Sequence, residues 1–256
     1  MRTLQSLLEH VAAGETCILA TVVGVEGSAP RKDAARMVVT AKGERFGTVG
    51  GGQIEDETLS EALAMLAGHE LTRLIRRPVR CGGEMTVHLE RFSPDRRLLV
   101  VGGGHVGSAV ARVGQGAGFH VTVITPDGDP ARLPAGVETR AGNLPAVLGG
   151  IEGSSRTHVV VATGDMEADV GWAVAALAGQ FTSVGVVGSG GKAVAVRHQA
   201  AASGIVPERI HALRCPVGLD LGAVTPEEIA VAIVAELVLL ERRGEVPEGW
   251  RRASRG

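Results

Sequence analysis

Two stretches of the chain carry residues that could hold a ligand through backbone alone. Gly102, Gly104 and Gly107 in "LLVVGGGHVGSAV" fit the spacing G-x-G-x-x-G, directly after an apolar run and opening a helix-like one. In that context the first glycine serves a tight turn and the second lets backbone approach a pyrophosphate. The third allows close helix–strand packing. The helix N-terminus then offers free amides and partial positive charge to an anion. His105, between the glycines, is a candidate ligand contact. Dinucleotide sites normally add an acid just after the second strand, to reach ribose hydroxyls. Here "VITPDGD" puts Thr125 and Pro126 at that place, with Asp127 beyond the proline. Packing alone is the competing reading of these glycines.

Gly50, Gly51 and Gly52 in "GTVGGGQIEDE" also precede a helix-like run, so the same amide logic applies. Glu55, Asp56 and Glu57 crowd its first turn and already complement the dipole, which disfavours a bare phosphate there. A ligand with hydrogen-bond donors, such as a pterin or another heterocycle, fits better and could use Glu55 directly. Upstream, "GSAPRKDAAR" supplies Ser28, Arg31, Lys32 and Arg36, of which Arg31 and Arg36 are candidate phosphate partners. The alternative is a glycine-rich hairpin exit beside a solvated charge run.

Cys81 in "RCGGEM" stands close to Arg76, Arg77 and Arg80, and nearby cations enrich the thiolate that attacks sulfur or binds metal. A buried, small apolar cysteine is the other role open to it. Cys17 lies in an apolar strand and reads as core, while Cys215 beside Pro216 is undecided. "GSGGK", Gly188 to Lys192, ends a strand and could bind an anion but lacks the Walker spacing. The chain has no H-E-x-x-H, no Gly-Lys-Ser/Thr loop and no G-x-S-x-G elbow, and no triad or carboxylate pair stands out. Ligand-shaped loops without catalytic machinery favour a carrier over an enzyme. The rival is an NAD(P)-dependent oxidoreductase using the second glycine turn.

The elements that must position these residues fall into two groups. Residues 1–92 read as a small α+β domain: an amphipathic opening helix with Leu4, Leu7, Leu8 and Val11 on one face, the strand "TCILATVVGV", a hairpin in "RMVVTAKGERFGTV", a helix with Ile54, Leu59, Leu63 and Leu66 ended by Gly68, and two further strands. "SPDRR", 93–97, is turn-rich and reads as a linker. Residues 98–256 alternate strand and helix, as a parallel-sheet, Rossmann-like domain requires. Thr225, Pro226 and Glu228 form a capping box opening a helix that Gly244 closes. The predicted fold class is thus α/β.

A formal charge of −2 gives no field toward nucleic acid or acidic lipid, and 2% aromatics leave few platforms for stacking bases. Three dispersed cysteines suit a reducing compartment, and the longest apolar stretch, "IAVAIVAELVLL", is too short to span a membrane. The expected location is the cytoplasm.

Taken in order, "GSAPRKDAARMVV", "GTVGGGQIEDE", "RCGGEMTVHLE", "VVGGGHVG", "VVVATGD", "VGVVGSGGK" and "CPVGLDLGAVTPEEIAVAIVAEL" resemble the xanthine dehydrogenase accessory factor family, the XdhC/CoxI group. The resemblance runs from about Thr16 to Glu241. It implies a chaperone that binds the molybdenum cofactor (molybdopterin), protects it while its terminal sulfur ligand is installed, and helps deliver it to a xanthine or CO dehydrogenase-type molybdenum hydroxylase. It further implies a cysteine desulfurase as partner and a homodimer or other homo-oligomer. Cys81 matches the family's Cys-Gly-Gly and would touch the cofactor or its sulfur. Many relatives carry Cys where this chain has Gln53, which cannot be a thiolate ligand. Relatives commonly read Thr-His-Asp at Thr163-Gly164-Asp165, which keeps Asp165 as a site residue, and Gly-Ser-Arg where Gly190 stands.

Overall fold

In a computed structural model the structure describes residues 2–27, 34–68, 70–79, 82–125, 133–142, 146–149 and 156–251. The chain divides into two compact units, Met1–Pro94 and Asp95–Gly256.

The first unit runs α1 (Arg2–Ala12), β1 (Cys17–Glu26), β2 (Arg36–Thr40), β3 (Arg45–Gly47), α2 (Gln53–Ala67), β4 (Thr72–Val79) and β5 (Gly83–Phe92). Its strands pair antiparallel in the order β3-β2-β1-β5-β4. Alternation along β1 sends Ile18, Ala20 and Val22 into the larger core beneath α2, and Cys17 and Leu19 to a small cluster with Leu7 of α1. Both faces are covered there, which is why β1 begins as an unbroken buried run. Of the expected face of α1, Leu7 is buried and Val11 packs against that cluster, whereas Leu4 and Leu8 are exposed. In α2 the buried line is Ile54, Thr58, Ala62 and Met65, with Leu59, Leu63 and Leu66 half-buried beside it. Thr58 can sit at the centre because its hydroxyl donates to the Ile54 carbonyl at 2.7 Å. Gly68 ends the helix in an extended conformation, φ −100°, and Arg91 donates to its carbonyl and to that of Met65.

The second unit runs β6 (Arg97–Val101), α3 (His105–Gly116), β7 (His120–Thr125), β8 (Glu138–Ala141), α4 (Ala146–Gly149), β9 (Thr157–Val161), α5 (Met166–Ala178), β10 (Ser183–Val186), α6 (Gly190–Ala202), α7 (Pro207–His211), β11 (Leu213–Arg214) and α8 (Pro226–Arg243). Six parallel strands lie in the order β11-β10-β9-β6-β7-β8. This is the doubly wound Rossmann order. Leu98 and Val100 of β6 face the α3–α8 side, and Leu99 and Val101 face the α5–α6 side. Burial on both faces requires the continuous apolar strands seen in the sequence. The chain reverses direction across the sheet between β6 and β9, and such a switch point opens a crevice beyond the carboxyl ends of the strands. Thr225 and Glu228 make both bonds of the capping box, and Gly244 closes α8 at φ +76°. Among the described residues no helix is long and apolar enough to cross a membrane.

Candidate functional site

The glycine turn after β6 is where packing and ligand access can be separated. Gly102 has φ +107°, and a Cβ there would lie 2.4 Å from the Ala162 carbonyl oxygen that follows β9. A Cβ on Gly103 would lie 2.8 Å from the Thr125 methyl, and one on Gly107 would lie 1.8 Å from the Gly102 oxygen. The packing reading therefore accounts for these three. It does not account for Gly104, where a Cβ would meet nothing within 4 Å. The N-terminus of α3 lacks both an acid in its first turn and a side-chain cap. Among the described residues, the amides of Gly103 to Gly107 have no acceptor. His105 is exposed at that end. At the end of β7 the Thr125 hydroxyl is buried without a partner among the described residues. Asp127 lies outside them.

The ends of β9 and β10 are tied together. Asp169, fully buried in α5, accepts from the Thr163 amide at 2.9 Å and the Thr163 hydroxyl at 2.6 Å. Its second oxygen meets Lys192 Nζ at 2.5 Å, and the same ammonium donates to the Val187 carbonyl at 3.0 Å. A Cβ on Gly188 would lie 2.7 Å from Lys192 Cδ, so the glycine gives the lysine stem its path. Lys192 thus works as an internal strut. Asp165 caps α5 by accepting from the Ala168 amide at 2.8 Å. Gly102, Gly104, His105, Gly107, Asp165, Gly188 and Lys192 consequently gather at the carboxyl ends of three adjacent strands, β6, β9 and β10. Sequence reasoning missed Asp169, whose signal was a carboxylate on the apolar face of α5, four residues past the cap.

In the first unit Gly50, Gly51 and Gly52 all have positive φ, 145°, 79° and 61°, a run that only glycines adopt readily. Glu55 shapes this turn. Its Oε2 accepts from the Thr48 hydroxyl at 2.5 Å and from the Gly51 amide at 3.1 Å, and Thr48 in turn accepts from the Gly50 amide at 3.1 Å. Two turn amides are therefore already engaged, while those of Gly52, Gln53 and Ile54 have no acceptor among the described residues. Gln53 is exposed and donates to Glu57 at 2.7 Å. Arg36 opens β2, exposed. Ser28, Arg31, Lys32 and Cys81 lie outside the described residues. Of the cations expected to activate Cys81, Arg77 is held by Glu57 and Glu61, and Arg80 is not among the described residues. Cys17 is core as expected, and burial with the nearby Glu15 charge pushes its thiol up to about 11. Burial also raises Cys215, so both described thiols keep their protons at neutral pH.

A Ser–His–acid chain that no motif announced lies at the opposite ends of the strands. His158 meets Ser183 Oγ at 2.8 Å and Glu241 Oε1 at 2.9 Å, and Arg156 donates to Glu241 at 2.7 Å. His158 is fully buried and Ser183 nearly so, which removes a substrate's access and makes the chain an internal tie between β9, β10 and α8. Among the described residues no group of three or more His, Cys, Asp or Glu is placed to hold a metal ion.

Residues 98–237 match the profile of the XdhC Rossmann domain, and residues 10–76 that of the XdhC and CoxI family. The uncharacterised protein YqeB of Escherichia coli is 29% identical over 248 residues, covering 90% of this chain and 44% of that protein. A probable xanthine dehydrogenase subunit of Bacillus subtilis is 33% identical over 147 residues, 51% of this chain and 43% of its own. The molybdenum cofactor insertion chaperone PaoD of E. coli is 33% identical over 107 residues, 38% of this chain and 33% of its own. The chain thus spans less than half the length of these curated relatives. A crystal structure described as a xanthine dehydrogenase from Bacillus halodurans shares the fold, with a TM-score of 0.51 at 19% identity over 96% of this chain and 98% of that one.

Proposed function

The chain belongs to the XdhC and CoxI family, and on that premise we propose that it is a molybdenum cofactor-binding accessory factor. In this reading it holds the cofactor during sulfuration and delivers it to a molybdenum hydroxylase of the xanthine or CO dehydrogenase type. A cysteine desulfurase supplies the sulfur, and the working form is a homodimer. The similarity to PaoD, a molybdenum cofactor insertion chaperone by name, supports the cofactor class.

The observation that carries the reading is the turn at Gly102–Gly107. Packing explains its other glycines, but Gly104 is left open beside five amides that lack acceptors among the described residues. Those amides fit the anionic part of the cofactor. The bound cofactor would supply the metal and its sulfur chemistry. The chain's residues would bind and orient it. Cys81 is proposed as the thiol near the sulfur, because Cys17 and Cys215 are buried and protonated.

An NAD(P)-dependent oxidoreductase is the second reading, favoured by the strand order and fingerprint of the second unit. Thr125 in place of a ribose-binding acid weighs against it. Mixing the purified protein with a molybdopterin-loaded donor, followed by gel filtration, tests the first reading through co-eluting pterin fluorescence. Titration with NADH and NADPH tests the second, which requires micromolar binding and turnover.

A further inference from the structure

A cavity of about 230 Å³ lies in the first unit, lined by Thr3 and Leu4 of α1, Ala34 and Ala35 before β2, Arg36, Gly47 at the end of β3, and Thr48. Gly47 makes its geometry possible. With φ +90°, it lets α1 and β2 approach so closely that a Cβ there would lie 2.3 Å from the Arg36 carbonyl and 2.6 Å from the Thr3 hydroxyl. At the rim Ala34 holds φ +71°, the one described residue other than glycine in the left-handed region. That conformation is strained and persists because surrounding structure imposes it. Here the Ala34 amide donates to the Val22 carbonyl at 3.0 Å.

Among the described residues the lining carries one formal charge, Arg36, and no carboxylate. Arg36 lies two residues from Val38, which faces α1, so alternation along β2 puts its side chain on the α1 side too. Of the other described arginines of this unit, Arg45 pairs with Asp56, Arg73 with Glu61 and Glu70, and Arg77 with Glu57 and Glu61, whereas Arg2 and Arg76 do not line the cavity. Among the described residues the Arg36 guanidinium has no partner, nor does the Thr3 hydroxyl. Thr48 has spent its proton on Glu55. The available groups are thus donors facing a space smaller than the roughly 300–1,000 Å³ that encloses a whole ligand. It suits one terminal group. We propose that this cavity binds a phosphate monoester, the end of a larger ligand, with Arg36 as its counter-charge and Thr3 as a hydroxyl donor. The inference does not rest on the cofactor reading, since any ligand that ends in a phosphate monoester meets it.

Inorganic phosphate titrated into the whole isotope-labelled chain, with chloride at matched ionic strength as control, reads the site through amide shifts. Saturable shifts at Thr3, Leu4, Ala35 and Thr48 are expected, with affinity weakened about tenfold or more in Arg36→Gln. Arg45→Gln, outside the lining, should bind as the parent chain does. Equal affinity in Arg36→Gln, equal shifts with chloride, or no saturable shift at these amides would overturn the inference. Phosphate seated through Arg36 in a chain that retains no pterin would leave the cavity standing and remove the cofactor reading. Pterin retained equally by Arg36→Gln, with phosphate leaving these amides unmoved, would do the reverse.

Discussion

Gly107 rests against Gly102 so closely that a Cβ at 107 would stand 1.8 Å from the carbonyl oxygen at 102, whereas one at Gly104 would meet nothing within 4 Å. Two substitutions of equal size should therefore part company. Gly107→Ala drives a methyl into backbone that cannot yield and should cost about 3 kcal/mol or more in urea unfolding. Gly104→Ala, at φ −67°, needs no strained backbone and should leave the urea midpoint nearly unchanged while weakening ligand retention. Equal destabilisation by both would remove the distinction on which the site rests.

Asp169 and Lys192 give a second separation. If the lysine is a strut, Lys192→Met leaves a buried carboxylate unpaired and should cost about 3–5 kcal/mol, as should Asp169→Ala. An anion-binding lysine would instead lose ligand affinity with stability kept. Chemical unfolding and pterin retention, measured on the same variants, tell the two apart.

Thr48 and Glu55 should act as one unit in the other glycine turn. Thr48→Val and Glu55→Ala each release the same staple, so the double variant should lose little more stability than either single one. Additive losses would mean that Glu55 has a separate task, such as meeting a ring nitrogen of the ligand.

Much of this was legible in the sequence. The strand–helix alternation, the fingerprint and the capping box are local patterns, written within one or two turns of chain. Asp169, and the Ser183–His158–Glu241 chain whose members stand 25 and 83 residues apart, depend on which strands become neighbours, and periodicity does not encode that. The two-residue β11 is too short to show a period. Glu55 was visible as a carboxylate near the glycines, but its binding to Thr48 follows from three consecutive left-handed residues that no spacing rule specifies.

The buried tie at Glu241 predicts acid sensitivity. Burial alone would raise this carboxyl, but hydrogen bonds from His158 and Arg156 hold it below the ordinary 4.5. A folded value below the unfolded one contributes stability that is fully present above about pH 4.5 and is lost as pH falls through the folded value. Glu241→Gln should therefore lower stability at neutral pH and flatten its decline below pH 4.5. A parallel decline in both proteins would place the acid-labile group elsewhere.

The most direct measurement of the central claim is the amount of pterin that elutes with the protein after exposure to a molybdopterin-loaded donor. Pterin fluorescence should travel with the parent chain and be reduced in Gly104→Ala. Pterin remaining wholly with the donor, under conditions in which an authentic carrier takes it up, would contradict the account.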